Sequence, residues 1–239
     1  MRILAHILLA CACQSFAEAT VLKVLTWNVG RIYLGEDVES RLDERQLDHV
    51  AAVIREAGPE VACLQEVVDR AQAGRLAERL GGEYRFALYE DNYDRRAAMF
   101  VRGEARWTSL TVEGGPQFPA ASFQDGAVSA LCVHLSSFDQ DRRRKQVGQV
   151  LEWAGRAPGT VLVAGDFNLL PQSLDYTRLA ALLRDATESI RSSTLYGLKF
   201  DYVFYRGPDP WTAAATRLDG ARKPPMDHDP IVAELSPAK

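Results

Sequence analysis

The sequence predicts an α/β fold in which two mixed β-sheets pack face to face and helices cover their outer surfaces. The chain has many short apolar runs typical of strands but only a few segments with helical spacing. Several strand-like runs between residues 84 and 112 follow one another without a helix, which argues against a simple doubly wound parallel sheet. With 239 residues, 47% of them hydrophobic, the chain is long enough for one domain with a large core.

Residues 1–19 resemble a secretory leader. A positive charge at Arg2 precedes a short apolar stretch, and small residues suited to a cleavage site follow. The stretch is too short to span a bilayer, so we expect no stable membrane insertion. The sequence LLAC, ending at Cys11, also resembles a lipoprotein cleavage box, in which case Cys11 would carry a lipid anchor. We therefore expect a signal peptide or lipoprotein leader, export from the cytoplasm (periplasmic or secreted), and a folded domain in residues 20–239.

The folded part begins with a strand at 21–29, which ends in Thr-Trp-Asn. A helix follows, because apolar residues recur at helical spacing from Leu47 to Ile54 and Gly58-Pro59 end the pattern. The remaining elements are predicted by the same periodicities. Strands are expected at 61–64, 84–89, 97–101, 106–112, 127–135, 161–167, 200–205, 212–218 and 231–235, and helices near 74–80, from Asp139 onwards, and near 174–183.

Charge and cysteine content limit the classes of function. The net charge is -4, and it stays at -4 without residues 1–19 because that segment holds one Arg and one Glu. A domain that binds long nucleic acid through phosphate neutralisation is usually basic, so extended binding is disfavoured, whereas chemistry on one phosphate is not. Cys63 and Cys132 lie in apolar strand-like runs and are expected to be buried thiols; whether they pair is left open.

Polar residues interrupt or end many of the predicted strands, where a structural residue would more often be Val or Ile. In the segment VLVAGDFNLLP, Asp166 and Asn168 are two residues apart and therefore share one face of the strand end. Taken singly, each such residue is well explained as a turn or strand-end residue. Together they would form a set suited to a hard divalent cation and a phosphate, if all the strand ends converge. The set is Asn28, Glu66, His134, Asp166, Asn168, Asp201, Asp227 and His228.

Six short blocks resemble the endonuclease/exonuclease/phosphatase superfamily, which has the deoxyribonuclease-I-like fold. They are TWN at 26–28, LQEV at 64–67, VHL at 133–135, GDFN at 165–168, FDYVF at 200–204 and DHDP at 227–230. The resemblance covers the whole folded part of the chain. It implies a four-layer α/β sandwich and Mg²⁺-dependent phosphoester hydrolysis, with Mn²⁺ as a substitute metal, but it does not choose a substrate.

The resemblance also implies roles for individual residues. Glu66 would be the principal metal carboxylate, with Asn28 and Asp227 completing or supporting its shell. Mg²⁺ prefers a few carboxylates plus waters, which leaves positions for phosphate oxygens.

The other five residues would handle protons and the charge of the phosphate. Asp201 would fix the tautomer of His228, and either His228 or Asp166 would activate the attacking water. Asp166 is alternatively the acid that protonates the leaving oxygen. Asn168 and His134 would donate hydrogen bonds to the non-bridging oxygens.

The basic run from Arg142 to Lys145 opens the helix that follows His134. It is interpreted either as a solvated basic face or as the source of one Arg that leans toward the substrate phosphate.

Departures from the family pattern narrow the substrate. AP endonucleases usually have Tyr in place of His134 and Asp in place of Gly30, and the usual Ser before the Asp-His pair is Met226 here. We therefore expect a compact, monomeric nuclease-like phosphodiesterase acting on a phosphoester substrate, with nucleic acid the first candidate. A phosphomonoesterase and a sphingomyelinase-like phosphodiesterase are the alternatives, followed by a non-catalytic binding module.

Overall fold

A computed structural model describes residues 21–30, 44–89, 96–207, 211–224 and 226–237. The predicted leader, including Cys11, lies outside the described residues. Within the described part of the chain, no helix combines the length and the apolar character that crossing a bilayer requires.

Two six-stranded mixed sheets form the centre of the molecule. The strands of the first sheet are β1 (Leu22–Asn28), β2 (Val61–Val67), β3 (Tyr84–Leu88), β4 (Arg96–Arg102), β11 (Trp211–Arg217) and β12 (Ile231–Pro237); those of the second are β5 (Arg106–Thr111), β6 (Gln117–Phe123), β7 (Val128–His134), β8 (Thr160–Asp166), β9 (Arg184–Asp185) and β10 (Asp201–Arg206). The first sheet has the strand order β11-β12-β1-β2-β4-β3, and the second has the order β5-β6-β7-β8-β10-β9. Only the β1–β2 and β7–β8 pairs are parallel among the described pairings.

Helices flank both sheets, which gives the four-layer sandwich that the sequence predicts. The helices are α1 (Glu44–Ala57), α2 (Arg70–Arg79), α3 (Gln140–Arg156) and α4 (Leu174–Ala180). Apolar residues of α1 and α2 pack on the first sheet, and those of α3 and α4 pack on the second. Asp139 caps α3 by accepting a hydrogen bond from the Arg142 amide, as the acidic residues before this helix predict.

The alternation of β1 shows why the first sheet is buried on both faces. Leu22 and Val24 face the second sheet, whereas Leu25 and Trp27 face the helices, because successive side chains of a strand point to opposite sides. Each of these side chains is at most 2% exposed, so the strand reads as a continuous apolar run.

Most predicted elements are present with ends displaced by a few residues. Strand β6 is not predicted by the sequence, because Pro119 lies inside it and the preceding Gly114-Gly115-Pro116 indicates a loop. The two-residue strand β9 is too short for any periodicity to reveal. Cys63 and Cys132 are buried, as expected, and both are free thiols on strands of different sheets.

Candidate active site

The eight polar residues singled out in the sequence lie at one end of the sandwich. Strands β1, β2, β7 and β8 end there, β10 begins there, and the segment before β12 lies beside them. A continuous chain of contacts no longer than 3.9 Å connects all eight residues, which come from both sheets. The sheet-sheet packing therefore creates the site, since neither sheet alone holds the full set.

Glu66 leaves the regular geometry of β2. The pairing of β2 with β4 shifts register between Gln65 and Val67, so Glu66 occupies a β-bulge. Its φ of 62° lies in the left-handed region, which costs a non-glycine residue free energy. A bulge re-aims one side chain out of the alternating pattern, and here it directs a half-buried carboxylate toward Asn28.

The end of β8 holds Asp166 in a fixed position. Its Oδ1 accepts a hydrogen bond from the Asn168 amide at 2.9 Å, and Asn168 has a φ of 51°. The Asn168 side chain does not point at Asp166, because its Nδ2 donates to the Leu135 carbonyl at 2.9 Å. Asp166 itself is 1% exposed. The carboxylate is thus rigidly held at the rim of the β7–β8 pair.

Asn28 joins the two sheets at the site. Its Nδ2 donates to Asp166 Oδ2 at 3.1 Å and lies 3.4 Å from Glu66 Oε1, while its Oδ1 accepts from the Gly30 amide at 3.0 Å. The amide therefore separates two carboxylates that would otherwise repel each other. A neutral group with both donor and acceptor capacity is needed at this position.

His228 and Asp201 form a buried hydrogen-bonded pair. Nδ1 of His228 lies 2.7 Å from Asp201 Oδ2, and Asp201 is fully buried. Burial alone lowers the pKa of His228, but the charges of Asp201, Asp166 and Asp227 outweigh it and raise this pKa to about 10. Burial raises the pKa of Asp201, and the charge of His228 opposes that rise. At neutral pH, without bound metal, His228 is therefore a cation paired with Asp201.

The second nitrogen of His228 faces the open part of the site. Nε2 lies 3.8 Å from Asp166 Oδ2 and 3.9 Å from Asp227 Oδ1. His134 approaches Asp166 from the other side, with Nε2 3.7 Å from the same Oδ2. Nδ1 of His134 is buried without a hydrogen-bond partner, so the proton of the neutral ring is best placed on Nε2. Both imidazoles then direct an N–H group toward Asp166.

Several oxygen donors at this end are suited to a hard cation. Glu66, Asp166 and Asp227 supply carboxylates, whereas Asn28 presents its Nδ2 to Glu66 and Asp166 and its Oδ1 accepts from the Gly30 amide. Among the described residues, one group of three satisfies the distances of a metal site: donor atoms of Asp166, Asp201 and His228 lie within 4.8 Å of one another.

Comparison with known proteins assigns this architecture. The family model described as the endonuclease/exonuclease/phosphatase family matches residues 25–228, from β1 to His228. The chain belongs to the endonuclease/exonuclease/phosphatase family. It is accordingly a metal-dependent phosphoester hydrolase by class. A search of curated protein sequences finds no significant match.

Solved structures of this fold superimpose on nearly the whole chain. The endonuclease/exonuclease/phosphatase from Bacteroides vulgatus aligns with a TM-score of 0.71 and 17% identity over 92% of this chain and 100% of its own. Truncated Caenorhabditis elegans TDP2 aligns at 0.68 and 20% identity, over 90% and 98% respectively. The human Nocturnin catalytic domain with a bound sulfate anion aligns at 0.66 and 19%, over 91% and 95%. At these identities the likeness shows a shared fold.

Two residues that support the site are not singled out by the sequence motifs. The indole of Trp27 donates to the His228 carbonyl at 3.1 Å, and Ser193 Oγ accepts from the amides of Phe200 and Asp201. Trp27 lies in the block TWN, but its position in an apolar run predicts only a core residue. No local pattern marks Ser193, because its partners lie seven and eight residues later.

The position before the Asp-His pair, Met226, is part of the helix-facing core. Its side chain is 4% exposed and packs with apolar residues of the first sheet. It also lies against Gly30, where an added Cβ would come within 3.1 Å of the Met226 Cα. The Ser usual in this family is therefore replaced by a packing residue, and no hydroxyl is supplied from position 226.

The basic run beside His134 is largely engaged in surface contacts. Arg144 pairs with Asp141, and Lys145 pairs with Glu113, on exposed parts of α3. Arg143 donates to the Ser136 carbonyl at 2.6 Å and thereby holds the loop that follows His134. These contacts favour the interpretation of a solvated face for Arg144 and Lys145.

Proposed function

We propose that the protein is a Mg²⁺-dependent phosphodiesterase of nuclease-like chemistry, in which water attacks phosphorus in line with the leaving oxygen. The observation that carries this proposal is the contact network around Asp166 Oδ2. This one oxygen faces Nε2 of His134 and Nε2 of His228 and accepts from Asn28. A buried carboxylate oxygen that several N–H donors face can accept a proton, and the same donors can bind the oxygens of a phosphate anion.

The residues present fit a magnesium ion at the Glu66 side of the network. We assign Glu66 as the main ligand, with Asn28 and Asp227 as supporting ligands. The carboxylates of Glu66 and Asp227 match the preference of Mg²⁺ for oxygen ligands, and Mn²⁺ would be accepted by the same residues. Asn28 turns its Nδ2 toward Glu66, so its side-chain amide would have to rotate to bind the ion through Oδ1. The strained backbone of Glu66 supports this assignment, because such strain persists where the position of a side chain matters. When bound, the ion supplies charge neutralisation at a phosphate oxygen.

Asp166, Asp201 and His228 are better suited to proton handling than to holding the ion. The 2.7 Å contact between His228 Nδ1 and Asp201 Oδ2 requires a proton between the two atoms, so each satisfies the other. Asp201 is also fully buried and offers no free face to a phosphate oxygen. An ion there would have to displace this bond.

The charge of His228 supports one of the two mechanistic alternatives. Because Asp201 holds the imidazole as a cation at neutral pH, His228 acts as a hydrogen-bond donor to a non-bridging oxygen. His134 donates from the opposite side. Asp166 then orients the attacking water and accepts its proton, since it is the acceptor that both imidazoles face. Asn168 fixes Asp166 through its backbone amide, and its side chain holds the loop of His134.

Export, a monomeric state and the choice of a diester are part of the same proposal. Export rests on the leader-like composition of residues 1–19. A diester is favoured over a multiply phosphorylated monoester, because the basic run near the site is the only dense one in the sequence and two of its members pair with carboxylates.

A substrate panel tests the proposal. The purified protein is offered bis-p-nitrophenyl phosphate, p-nitrophenyl phosphate, plasmid DNA and sphingomyelin, each with Mg²⁺ and with EDTA. We expect Mg²⁺-dependent turnover of diesters and much slower turnover of the monoester. Preference for the monoester would replace the proposal with a phosphatase. Absence of Mg²⁺-dependent turnover together with absence of metal binding would point to a binding module.

Variants of the network test the assigned roles. Asp166→Asn and His228→Ala are each expected to lower diester turnover at least ~100-fold, because each removes a proton acceptor or a donor at the phosphate. Asp125→Asn is the matched control: this exposed carboxylate lies in the β6–β7 turn at the opposite end of the sheet. A circular dichroism melt establishes that each variant folds. Near-normal turnover in a folded Asp166 or His228 variant removes that residue from the mechanism.

A further inference from the structure

Exposed apolar side chains are concentrated around the mouth of the site. Among the described residues, eight large hydrophobic side chains are exposed, and six of them lie on three connections at the catalytic end of the second sheet. These connections adjoin β7, β8 and β10, which are neighbours in that sheet. Isolated exposed apolar residues are normal, but such a concentration marks an interaction surface. We call this set the apolar rim: Phe138, Leu170, Leu174, Leu195, Tyr196 and Leu198.

Each part of the rim is tied directly to a residue of the site. Phe138 follows His134 by four residues, and Leu170 follows Asn168 by two. The turn that carries Leu195 and Tyr196 is attached to the other side of the site, since the Leu195 amide donates to the Asp227 carbonyl at 2.7 Å. The three connections that carry the rim are therefore attached to the part of the site formed by the second sheet.

The rim is rigidly held despite its exposure. The loop before Phe138 is fixed by Gln146 Oε1, which accepts from the Ser136 amide at 2.9 Å. In the opposite turn, the Gly197 amide donates to the Thr194 carbonyl at 3.1 Å. Phe138 is 90% exposed and Tyr196 is 71% exposed on these supports. A backbone that is already hydrogen-bonded before binding lowers the cost of ordering these loops against a partner.

We propose that the apolar rim docks the protein on a phospholipid surface, so that the enzyme acts on phosphodiesters presented at a membrane. The inference rests on the proposed phosphodiesterase activity and names where its substrate is found. Because the rim lies on the connections that carry His134, Asn168 and the turn bonded to Asp227, its occupant must bring both an apolar surface and a phosphoester to this end of the molecule. A phospholipid layer has both in every molecule.

The chemistry of the rim favours lipid over nucleic acid. Four of its six side chains are Leu, which offers no aromatic face on which a base can stack. The net charge of -4 also opposes a long polyanion. Phe and Tyr beside aliphatic residues are typical of segments that settle into the headgroup region of a bilayer.

The helices that follow two parts of the rim carry paired charges. Arg144 on α3 follows Phe138 by six residues and pairs with Asp141, and Arg178 on α4 follows Leu174 by four residues and pairs with Asp175. Because each cation is matched by a carboxylate, the apolar side chains rather than a net positive charge carry the inference, which suits a zwitterionic lipid surface.

Sedimentation with vesicles tests the inference separately from the activity. The full chain is mixed with large unilamellar vesicles of phosphatidylcholine in EDTA, where no metal-dependent turnover occurs. We expect the wild-type protein to cosediment and the double variant Phe138→Ser/Tyr196→Ser to partition at least ~10-fold more weakly, because binding scales with the apolar area inserted. Leu182→Ser, an exposed apolar residue beyond α4 and outside the rim, is the matched control and should bind like the wild type.

Each result with vesicles either supports docking through the rim or overturns it. Equal binding by the wild-type and double-variant proteins, whether strong through the N-terminal segment or absent, overturns the inference. Vesicle binding that depends on the rim, in a protein without diester turnover, keeps docking through the rim but removes the proposed function and the membrane phosphodiester as its substrate. With Mg²⁺, turnover of monomeric dibutanoyl-phosphatidylcholine that equals turnover of vesicle lipid would show a soluble apolar substrate instead and would also overturn it. A change of oligomeric state in the double variant would overturn it as well, because a second copy would then be the occupant.

Discussion

Asp201 sets both the orientation and the charge of His228 through one hydrogen bond. The 2.7 Å contact fixes Nδ1 as a donor and leaves Nε2 directed at the site. The same carboxylate, with Asp166 and Asp227, outweighs the effect of burial and keeps the imidazole protonated at neutral pH. In the proposed mechanism, Asp201 would thus determine whether His228 acts as a donor or as a base without contacting the substrate.

Replacing Asp201 by Asn tests whether the pKa of His228 depends on the Asp201 carboxylate. In EDTA, we expect the imidazole of His228 in the wild-type protein to titrate near pH 10. In Asp201→Asn the carboxylate that contributes most to raising the pKa of His228 is lost, while the burial that lowers this pKa remains. The pKa of His228 should therefore fall by several units, which is about the size of the shift that full burial causes. NMR titration of the imidazole protons measures both values. An unchanged titration would show that Asp201 does not govern the charge of His228.

The raised pKa of His228 can also be detected through the pH dependence of the free energy of unfolding. The pKa of His228 rises from about 6.5 in the unfolded chain to about 10 in the folded protein. Its contribution to stability is therefore fully present below pH 6.5 and is lost as the pH rises toward 10. Urea unfolding in EDTA should show a lower free energy of unfolding at pH 9.5 than at pH 6.5, and this decline should shrink in His228→Gln. A decline of equal size in both proteins contradicts the assignment.

The strands position the site residues partly through local backbone geometry, namely a bulge and a positive φ. The pattern of apolar and polar residues in the sequence does not predict this geometry. The apolar periodicity predicts the strands β2, β7, β8 and β10. From these strands we expect their polar ends to be neighbours in the folded protein. The periodicity does not predict the bulge at Glu66, which depends on pairing with β4, or the left-handed φ of Asn168, whose side chain donates to the Leu135 carbonyl after β7. Strand β6 is missed for a similar reason, because the sheet tolerates Pro119 where local propensity rejects it.

Gly165 is the backbone position on which β7 and β8 both depend. Its φ is 152°, and a Cβ placed there would lie 2.0 Å from the Val133 carbonyl oxygen. In Gly165→Ala the two strands must separate, which displaces His134 and Asp166 together, because these residues are paired in register. We expect a loss of about 2 kcal/mol or more in the free energy of unfolding. Urea denaturation measures it, and diester turnover should fall in parallel.

Gly155→Ala provides the control for that substitution. Gly155 lies inside α3, and an added Cβ there meets nothing within 4 Å. Ala is a better helix former than Gly by about 1 kcal/mol, so this variant should be as stable as the wild type or more stable. If both variants behave alike, the close approach of Gly165 to Val133 does not govern the β7–β8 pair.

At the scale of the whole molecule, both sheets contribute residues to the site. Glu66 and Asn28 belong to the first sheet, and Asp166, Asp201 and His134 belong to the second. The sequence predicts the identity of these residues because each ends or interrupts an apolar run. It does not predict the supporting roles of Trp27 and Ser193, which act through backbone groups that become neighbours only after folding. Their contribution depends on tertiary contacts, whereas the eight polar residues are singled out by their joint occurrence at strand ends and by the family resemblance.

Metal binding at the Glu66 side should stabilise the whole sandwich, because a ligand that binds only the folded state shifts the unfolding equilibrium. At a free Mg²⁺ concentration about 100 times the Kd, the gain is about 2.7 kcal/mol, which corresponds to a rise in Tm of roughly 5 °C or more for a domain of this size. Differential scanning calorimetry with and without Mg²⁺ measures the rise. Glu66→Gln should abolish it, whereas Glu83→Gln, an exposed carboxylate before β3, should retain it. An undiminished rise in the Glu66 variant would place the ion elsewhere, with the Asp166, Asp201 and His228 group as the remaining location among the described residues.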